Sequence, residues 1–224
     1  MIGAESHTLD VLLVTARVAG VAALLAAPAG IALGFLLARA EFRGKSAIET
    51  LVALPLVLPP TAIGYLLLAL LARDGWLGER ALGFDPDLLF TWKAAVLASA
   101  IVALPLVART ARTAFEEVDP RLERMARTLG YSRARTFARV TVPLARRGLC
   151  AAGALGFGRA LGEFGATVIV AGSIPGRTQT LALAIFEEIQ LGDHAAALRL
   201  VGITVAIAFA LLWWVERLSR RRSR

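Results

Sequence analysis

Cysteine and histidine are scarce in this sequence of 224 residues, which contains one cysteine and two histidines. The single cysteine, Cys150, excludes an intrachain disulfide, and we expect it to be a structural thiol. His7 and His194 are isolated and have no partners at metal-ligand spacing, so no metal site is predicted. The first ten residues hold no lysine or arginine. Because a cleavable secretory signal begins with a basic segment, we expect no cleavage.

A complete phosphate-binding loop is also lacking. Gly44-Lys45-Ser46 resembles the end of that motif, but Arg39 stands where a glycine is required five residues before Gly44. The chain is therefore not expected to hydrolyse ATP. No grouping of nucleophile, base and acid indicates an enzyme, and no bound cofactor is predicted.

Long apolar runs dominate what the sequence does contain. The chain is 57% hydrophobic, and the segments Val18 to Ala38 and Thr50 to Ala72 carry no charged side chain. Each run exceeds the roughly twenty residues that a helix needs to cross about 30 Å of hydrocarbon. A buried core helix is the alternative, but two such runs in one small protein favour a membrane protein. We predict an all-α integral membrane protein with one domain over residues 1–224 and five spans, at about 11–38, 48–72, 88–108, 148–172 and 196–215.

The basic residues predict the orientation. The net charge is +8, which by itself would suit a nucleic-acid partner. However, the loop 39–47, the loop 109–147 and the C-terminal tail hold 3, 10 and 5 lysines or arginines, which is 18 of the 25. Cytoplasmic segments are enriched in these residues, so we place the N-terminus outside and the C-terminus in the cytoplasm. The positive charge then indicates contact with lipid headgroups rather than with nucleic acid. A further stretch, 178–191, is too short and too charged to span, and it predicts an interfacial or re-entrant helix.

The loop 109–147 contains signals for a short helix. Asp119 suits the N-cap, Pro120 the first helical position and Gly130 the position after the end. The apolar side chains share one face with helical spacing, and arginines take the other faces. Ser132 predicts the start of a second helix, which Pro143 is expected to end. The first helix could dock into a partner or lie on the lipid surface, and its pattern favours neither. Its apolar face consists of Leu122, Met125, Ala126 and Leu129.

This loop resembles the signature of ATP-binding-cassette (ABC) importer permeases, a Glu-Ala-Ala box followed by Gly and then Ile-x-Leu-Pro. Val140, Val142 and Pro143 stand at the family's spacing after Gly130. The box itself departs from the family, because Arg-Met-Ala occupies it and Glu123 lies one residue earlier. In that family the helix docks in a groove of a separate ATPase subunit. The resemblance implies an ATPase-coupling role for Leu122, Glu123, Met125, Ala126, Leu129, Gly130, Val140 and Pro143.

Further motifs are similar to those of molybdate permeases. They are Leu54 to Tyr65 (LPLVLPPTAIGY), Arg159 to Ala166 (RALGEFGA) and Ile174 to Thr180 (IPGRTQT). The resemblance implies a permease that works as a homodimer with ABC ATPase subunits, which use the ATP, and with an extracytoplasmic molybdate-binding protein. It also implies the bacterial inner membrane. Tungstate or sulfate/thiosulfate is an alternative substrate. A secondary transporter is disfavoured because no internal repeat is visible.

Several polar or helix-breaking residues are candidates for the translocation pathway or its gate. Prolines within a span free backbone carbonyls, which suits either a cavity or a packing kink. Arg159 and Glu163 are four residues apart on one predicted helix face, and a mutual salt bridge is slightly favoured over a gate, because a bare carboxylate repels an anion. The candidates are Pro59, Pro60, Thr61, Arg159, Glu163, Thr167 and Ser173.

Overall fold

A computed structural model describes residues 2–84 and 87–220, and the regular structure of these residues is helical. Residues 221–224, which carry part of the basic tail, lie outside the described residues. The helices are α1 (Ile2–Arg39), α2 (Lys45–Val57), α3 (Pro60–Leu71), α4 (Glu79–Leu82), α5 (Trp92–Glu116), α6 (Pro120–Thr128), α7 (Arg133–Thr136), α8 (Val142–Leu161), α9 (Gly165–Ala171), α10 (Leu181–Leu191) and α11 (His194–Arg220), with a π-helical turn at Phe137–Thr141 between α7 and α8.

The core lies where α1, α5 and α8 pack against one another. α5 is at its centre, with 67% of its most apolar window buried inside the chain. Most side chains in this core are alanine, because small residues let membrane helices approach closely. An example is Gly34 of α1, where an added methyl would stand 2.8 Å from the backbone oxygen of Ala108 in α5.

The membrane-crossing elements are consistent with the five predicted spans, although two of them are broken. α1, α5 and α11 are each long and apolar enough to cross a membrane. The pairs α2–α3 and α8–α9 qualify only as bent pairs, with bends of 109° and 60°. The second and fourth predicted spans are therefore not straight helices.

The break between α2 and α3 follows from two consecutive prolines. Leu58 and Pro59 each precede a proline, and their ψ angles are 140° and 133°. A residue before proline is forced out of the helical conformation, so two in a row make a sharp corner. Pro60 then opens α3, where its missing N–H costs nothing.

Helix α11 and Cys150 are largely exposed within the chain. Only 11% of the apolar window of α11 is buried within the chain. Cys150 is an exposed free thiol on α8 rather than a side chain packed in the core. The predicted interfacial helix over 178–191 forms as α10, which begins three residues later than predicted, at Leu181.

Candidate functional site

Helix α6 begins as the sequence predicts. The Asp119 carboxylate accepts a hydrogen bond from the backbone N–H of Arg121 at 2.8 Å, and Pro120 occupies the first turn. This cap satisfies one of the backbone donors that a helix start leaves without a partner. We call α6 (Pro120–Thr128) the coupling helix.

The coupling helix ends one residue earlier than predicted, and Gly130 terminates it as expected. Leu129 is the C-cap instead of the last helical residue, and Gly130 follows with φ of +86°. The N–H of Tyr131 donates to the carbonyl oxygen of Ala126 at 3.1 Å, and the N–H of Gly130 donates to that of Arg127 at 3.0 Å. These two bonds form a Schellman motif, which needs a left-handed residue and so favours glycine.

The outer face of the coupling helix carries an apolar ridge. Leu122, Met125 and Leu129 are 43%, 61% and 78% exposed, and we refer to these three side chains as the apolar ridge. Ala126, predicted on the same face, is buried instead at 7% exposure. Exposed arginines flank the ridge, and a groove beside it is lined by Val140 and Pro143. The flanking arginines are Arg121, Arg124 and Arg127.

The inner face of the coupling helix is fixed by a buried carboxylate. Glu123 Oε1 accepts hydrogen bonds from Arg39 Nη2 at 3.0 Å and from Thr141 Oγ1 at 2.8 Å. Arg39 Nη2 also donates to the carbonyl oxygen of Val118 at 2.9 Å. Glu123 lies in the first turn of the helix, where a negative charge is favourable. The sequence signature alone did not assign these partners to Glu123.

Pro143 does not end a helix, contrary to the sequence prediction. Ser132 does cap α7, and its hydroxyl accepts from the N–H of Arg135 at 3.2 Å. The chain then continues without interruption through the π-helical turn into α8, with Pro143 in the first turn of α8. Proline normally clashes with the carbonyl four residues earlier, and the wider π turn just upstream accommodates it.

Three aromatic rings pack behind the coupling helix. The ring of Phe35 on α1 lies 5.2 Å from that of Phe115 on α5 and 4.7 Å from that of Phe137 in the π-helical turn, measured between centroids. Both contacts are edge-on, a favourable geometry for aromatic pairs. The rings join α1, α5 and the π-helical turn, and Phe35 and Phe137 each lie four residues before a donor to Glu123, namely Arg39 and Thr141.

Two of the candidate pathway residues, Pro60 and Thr61, lie where the two broken spans meet. A methyl added to Gly165, at the start of α9, would lie 2.9 Å from Pro60 Cβ and 3.3 Å from the backbone nitrogen of Thr61. One turn further on, a methyl on Gly64 would lie 2.9 Å from both the Cα and the carbonyl oxygen of Ala166. The breaks at Pro59 and at Glu163 therefore face each other across this contact.

Arg159 and Glu163 form the salt bridge that the sequence favoured. Arg159 Nη1 lies 2.8 Å from Glu163 Oε2, with side-chain exposures of 30% and 1%. The predicted shared helix face is wrong, because α8 ends at Leu161 and Glu163 lies in the break. There its other oxygen accepts from the N–H of Ala166 at 3.0 Å, so the carboxylate spans the 60° bend.

Thr167 and Ser173, two of the pathway candidates, have different surroundings. The Ser173 hydroxyl donates to Glu187 Oε2 at 2.9 Å, and Gln179 Nε2 donates to the same oxygen at 2.6 Å. This carboxylate ties the segment after α9 to α10. Thr167 is fully buried in α9, and its hydroxyl finds no partner among the described residues.

Two functional features were missed at the sequence level. Arg39 was considered only as part of a basic loop and as a mismatch to the phosphate-binding loop, and Thr141 was not singled out. Their positions next to Glu123 depend on how α1 and the π-helical turn pack, which spacing along the chain does not reveal. In the parts of the chain that are described, no group of three His, Cys, Asp or Glu side chains is placed to hold a metal ion.

Comparison with known proteins agrees with this architecture. Among solved structures, a chain of the MetNI methionine ABC transporter matches with a TM-score of 0.73 over 96% of both chains at 17% identity. A chain of a bacterial alginate ABC transporter matches with a TM-score of 0.76 over 96% of this chain and 79% of that one, also at 17% identity. At this identity, the likeness is one of fold alone.

Curated relatives are closer in sequence. The molybdenum transport system permease protein ModB of Escherichia coli K12 is 42% identical over 94% of both chains. ModB of Haemophilus influenzae is 44% identical over 87% of this chain and 86% of its own. The sulfate transport system permease protein CysT of E. coli K12 is 34% identical over 94% of this chain and 76% of its own. The family model for the binding-protein-dependent transport system inner membrane component matches residues 30–224, and the chain belongs to that family.

Proposed function

We propose that this chain is the permease subunit of an ABC importer that carries molybdate across the bacterial cytoplasmic membrane. The main support for molybdate is sequence identity. The chain is 42% and 44% identical to two molybdenum permeases but 34% identical to the sulfate permease. The chain is a transport subunit and not an enzyme.

Transport assays separate molybdate from its alternatives. The chain is reconstituted in liposomes with its cognate ATPase and binding protein, and uptake of molybdate, tungstate and sulfate is measured with ATP enclosed. Molybdate uptake that requires ATP is expected. Faster uptake of sulfate than of molybdate would place the chain with the sulfate permeases. Uptake driven by an ion gradient without ATP would indicate a secondary transporter.

The apolar ridge is proposed as the docking surface for the ATPase subunit. An exposed apolar patch rimmed by arginines on a short capped helix has the anatomy of an interface hot spot. The capped start, the Gly130 end and the groove of Val140 and Pro143 present the ridge in one orientation. Ala126 and Glu123 support it from behind.

Docking is tested with the double variant Leu122→Asp and Met125→Asp. Each charge would be buried against the partner, and loss of a hot-spot side chain costs at least about 2 kcal/mol, roughly a 30-fold loss of affinity. The ATPase should no longer be pulled down by the variant. The matched control replaces two exposed apolar residues of another loop, Trp76 and Leu77, which are 87% and 45% exposed. Unchanged binding of the ridge variant would refute docking at this helix.

The contact between the two broken spans is proposed to lie on the translocation pathway. Broken helices at membrane depth leave backbone groups that protein or cavity water must satisfy, and such breaks accompany transport sites. Thr61 is exposed beside the break, whereas Glu163 is neutralised by Arg159 and so repels an anion less. Pro59 and Pro60 shape this corner. Thr167 and Ser173 are assigned to its support, since one is buried and the other is bonded to Glu187.

Thiol accessibility tests this placement. With Cys150 replaced by serine, Thr61→Cys should react with a small hydrophilic thiol reagent. The rate of this reaction should change when the complete transporter is supplied with molybdate and ATP. Thr167→Cys is the matched control and should stay unreactive, because that side chain is fully buried. A Thr61→Cys protein that reacts only with lipid-soluble reagents would place this residue against the bilayer instead.

The complete transporter is proposed to contain two copies of this chain, ABC ATPase subunits and an extracytoplasmic molybdate-binding protein. The chain itself is proposed to bind no cofactor, and ATP is used by the ATPase subunit. The barely buried helix α11 leaves apolar surface for a second copy and for lipid. The isolated chain should run as a dimer by light scattering and should not hydrolyse ATP. A monomer within the assembled complex would refute the dimer.

The N-terminus is proposed to lie outside and the C-terminus in the cytoplasm. Two of the basic segments meet at one end of the bundle, since Arg39 contacts Glu123 and Arg112 Nη1 contacts Glu49 Oε1 at 2.8 Å. The loops 39–47 and 109–147 therefore share one side, as the distribution of lysine and arginine requires. Alkaline phosphatase fused after residue 224 should be inactive, and an active fusion would reverse the orientation.

A further inference from the structure

Arg39 and Glu123 connect the coupling helix to α1, and this contact lies on the side opposite the apolar ridge. The two side chains are 19% and 10% exposed, so the pair is largely withdrawn from solvent. Glu123 as a whole residue is 7% exposed, so a partner seated on the ridge has little access to it. The ion pair is therefore not part of the docking surface.

We propose that Arg39 and Glu123 act as positioning residues that transmit a displacement of the coupling helix to α1. The proposal rests on the docking of the ATPase on the apolar ridge, and it adds the route by which movement leaves the coupling helix. Neither residue touches the transported anion in this assignment. We call Arg39 and Glu123 the relay pair.

The coupling helix has few other attachments on its inner face. It has nine residues, too few to be stable without tertiary contacts, and its buried residues are Glu123 and Ala126. The methyl group of Ala126 resists movement of the coupling helix towards the bundle, but a van der Waals contact offers little resistance to movement away from it. A charge-assisted hydrogen bond has a defined length and direction, so it resists displacement both towards and away from the bundle.

The same guanidinium holds both ends of the turn that enters the coupling helix. Arg39 Nη2 reaches the carbonyl of Val118, which precedes the N-cap, as well as the carboxylate of Glu123 in the first turn. Thr141 adds a bond from the π-helical turn to that carboxylate. Glu123 Oε1 thus attaches the coupling helix both to α1 and to the residue that precedes α8.

Helix α1 is suited to carry movement across the membrane. It is one continuous helix from Ile2 to Arg39, whereas the spans α2–α3 and α8–α9 are broken. Thr15 of α1 accepts a hydrogen bond from the N–H of Leu181, the first residue of α10, at 2.8 Å. At 1.5 Å per residue, Thr15 lies about 36 Å along the helix from Arg39. The relay pair therefore links the coupling helix to α10 at the far end of the bundle.

The test measures molybdate transported per ATP hydrolysed in the reconstituted complete transporter. Glu123→Gln removes the charge but keeps the shape, and this ratio should fall at least about fivefold, the lower end of typical coupling between sites. Binding of the ATPase should stay within about twofold of the wild type, because the ridge is intact. The double variant Arg39→Gln with Glu123→Gln should have the ratio of Arg39→Gln alone within about twofold, because two residues that act as one unit do not lose function additively.

Glu49→Gln is the matched control. It removes a carboxylate 2.8 Å from Arg112, an ion pair between α2 and α5 that does not touch the coupling helix. Its transport ratio should equal that of the wild type. Thr141→Val replaces Glu123→Gln if that variant assembles poorly, since it deletes one bond to the carboxylate and conserves volume.

Three results would overturn the relay pair. They are a wild-type ratio in Glu123→Gln, a clear further loss in the double variant beyond Arg39→Gln alone, or an equal loss in Glu49→Gln. Loss of ATPase binding by Glu123→Gln, as severe as in the ridge variant, would place Glu123 in docking and also overturn it. Failure of the docking proposal is distinct, because it appears as retained ATPase binding by the ridge variant whatever the ratio.

Discussion

Gly64→Ala should loosen the contact between the two broken spans. A methyl at this position would stand 2.9 Å from the Cα and the carbonyl oxygen of Ala166, and 3.1 Å from Ile169 Cβ. Two of these are backbone atoms, which cannot rotate away, so α3 and α9 must separate. Overpacking of this kind costs about 1–3 kcal/mol. Alanine also gains up to about 1 kcal/mol over glycine in a helix interior, which offsets part of the cost.

Gly153→Ala isolates the clash from the gain in helix propensity. Gly153 lies within α8, and an added methyl would meet nothing within 4 Å. Thermal unfolding of both variants in lipid nanodiscs should give a stability difference of about 1–3 kcal/mol, or at least about 2 °C in melting temperature. Equal melting temperatures for the two variants would refute the close approach of α3 and α9 at Gly64.

Two further predictions concern the bend and the coupling helix. Glu163→Ala should destabilise the chain by about 3–5 kcal/mol, because it removes the partner of Arg159 and the acceptor for the N–H of Ala166. Glu163→Gln keeps an acceptor oxygen and should cost less in the same unfolding assay, and equal costs would contradict the role of the hydrogen bond to Ala166. Gly130→Ala should cost about 1–2 kcal/mol, because the residue has φ of +86° and alanine is strained there; faster hydrogen exchange in the coupling helix would report it, Gly153→Ala is again the control, and unchanged exchange would contradict the strain.

The coupling helix was predictable because its signals are local. Asp119, Pro120 and Gly130 specify the two ends through hydrogen bonds within a few residues, and the structure contains those bonds. Apolar run length likewise predicted the three long apolar helices α1, α5 and α11, and the two remaining predicted spans coincide with the bent pairs. Such features depend on a short segment and the solvent around it, so they can be predicted from the sequence alone.

The remaining features depend on packing between distant segments. Pro143 signals a helix end when considered alone, yet the π-helical turn before it lets the helix continue. The prolines near Leu58 predicted a kink, but the 109° corner also depends on the packing of α3 against α9. Arg39 and Glu123 are separated by 84 positions, and no periodicity connects them.

Helix α11 obtains little of its stability from its own chain. With 11% of its apolar window covered, most of its side chains contact whatever surrounds the protein. Detergents that pack poorly around it should let this C-terminal segment detach while the alanine-rich core persists. The choice of lipid during purification is therefore expected to decide whether α11 stays packed against the rest of the chain.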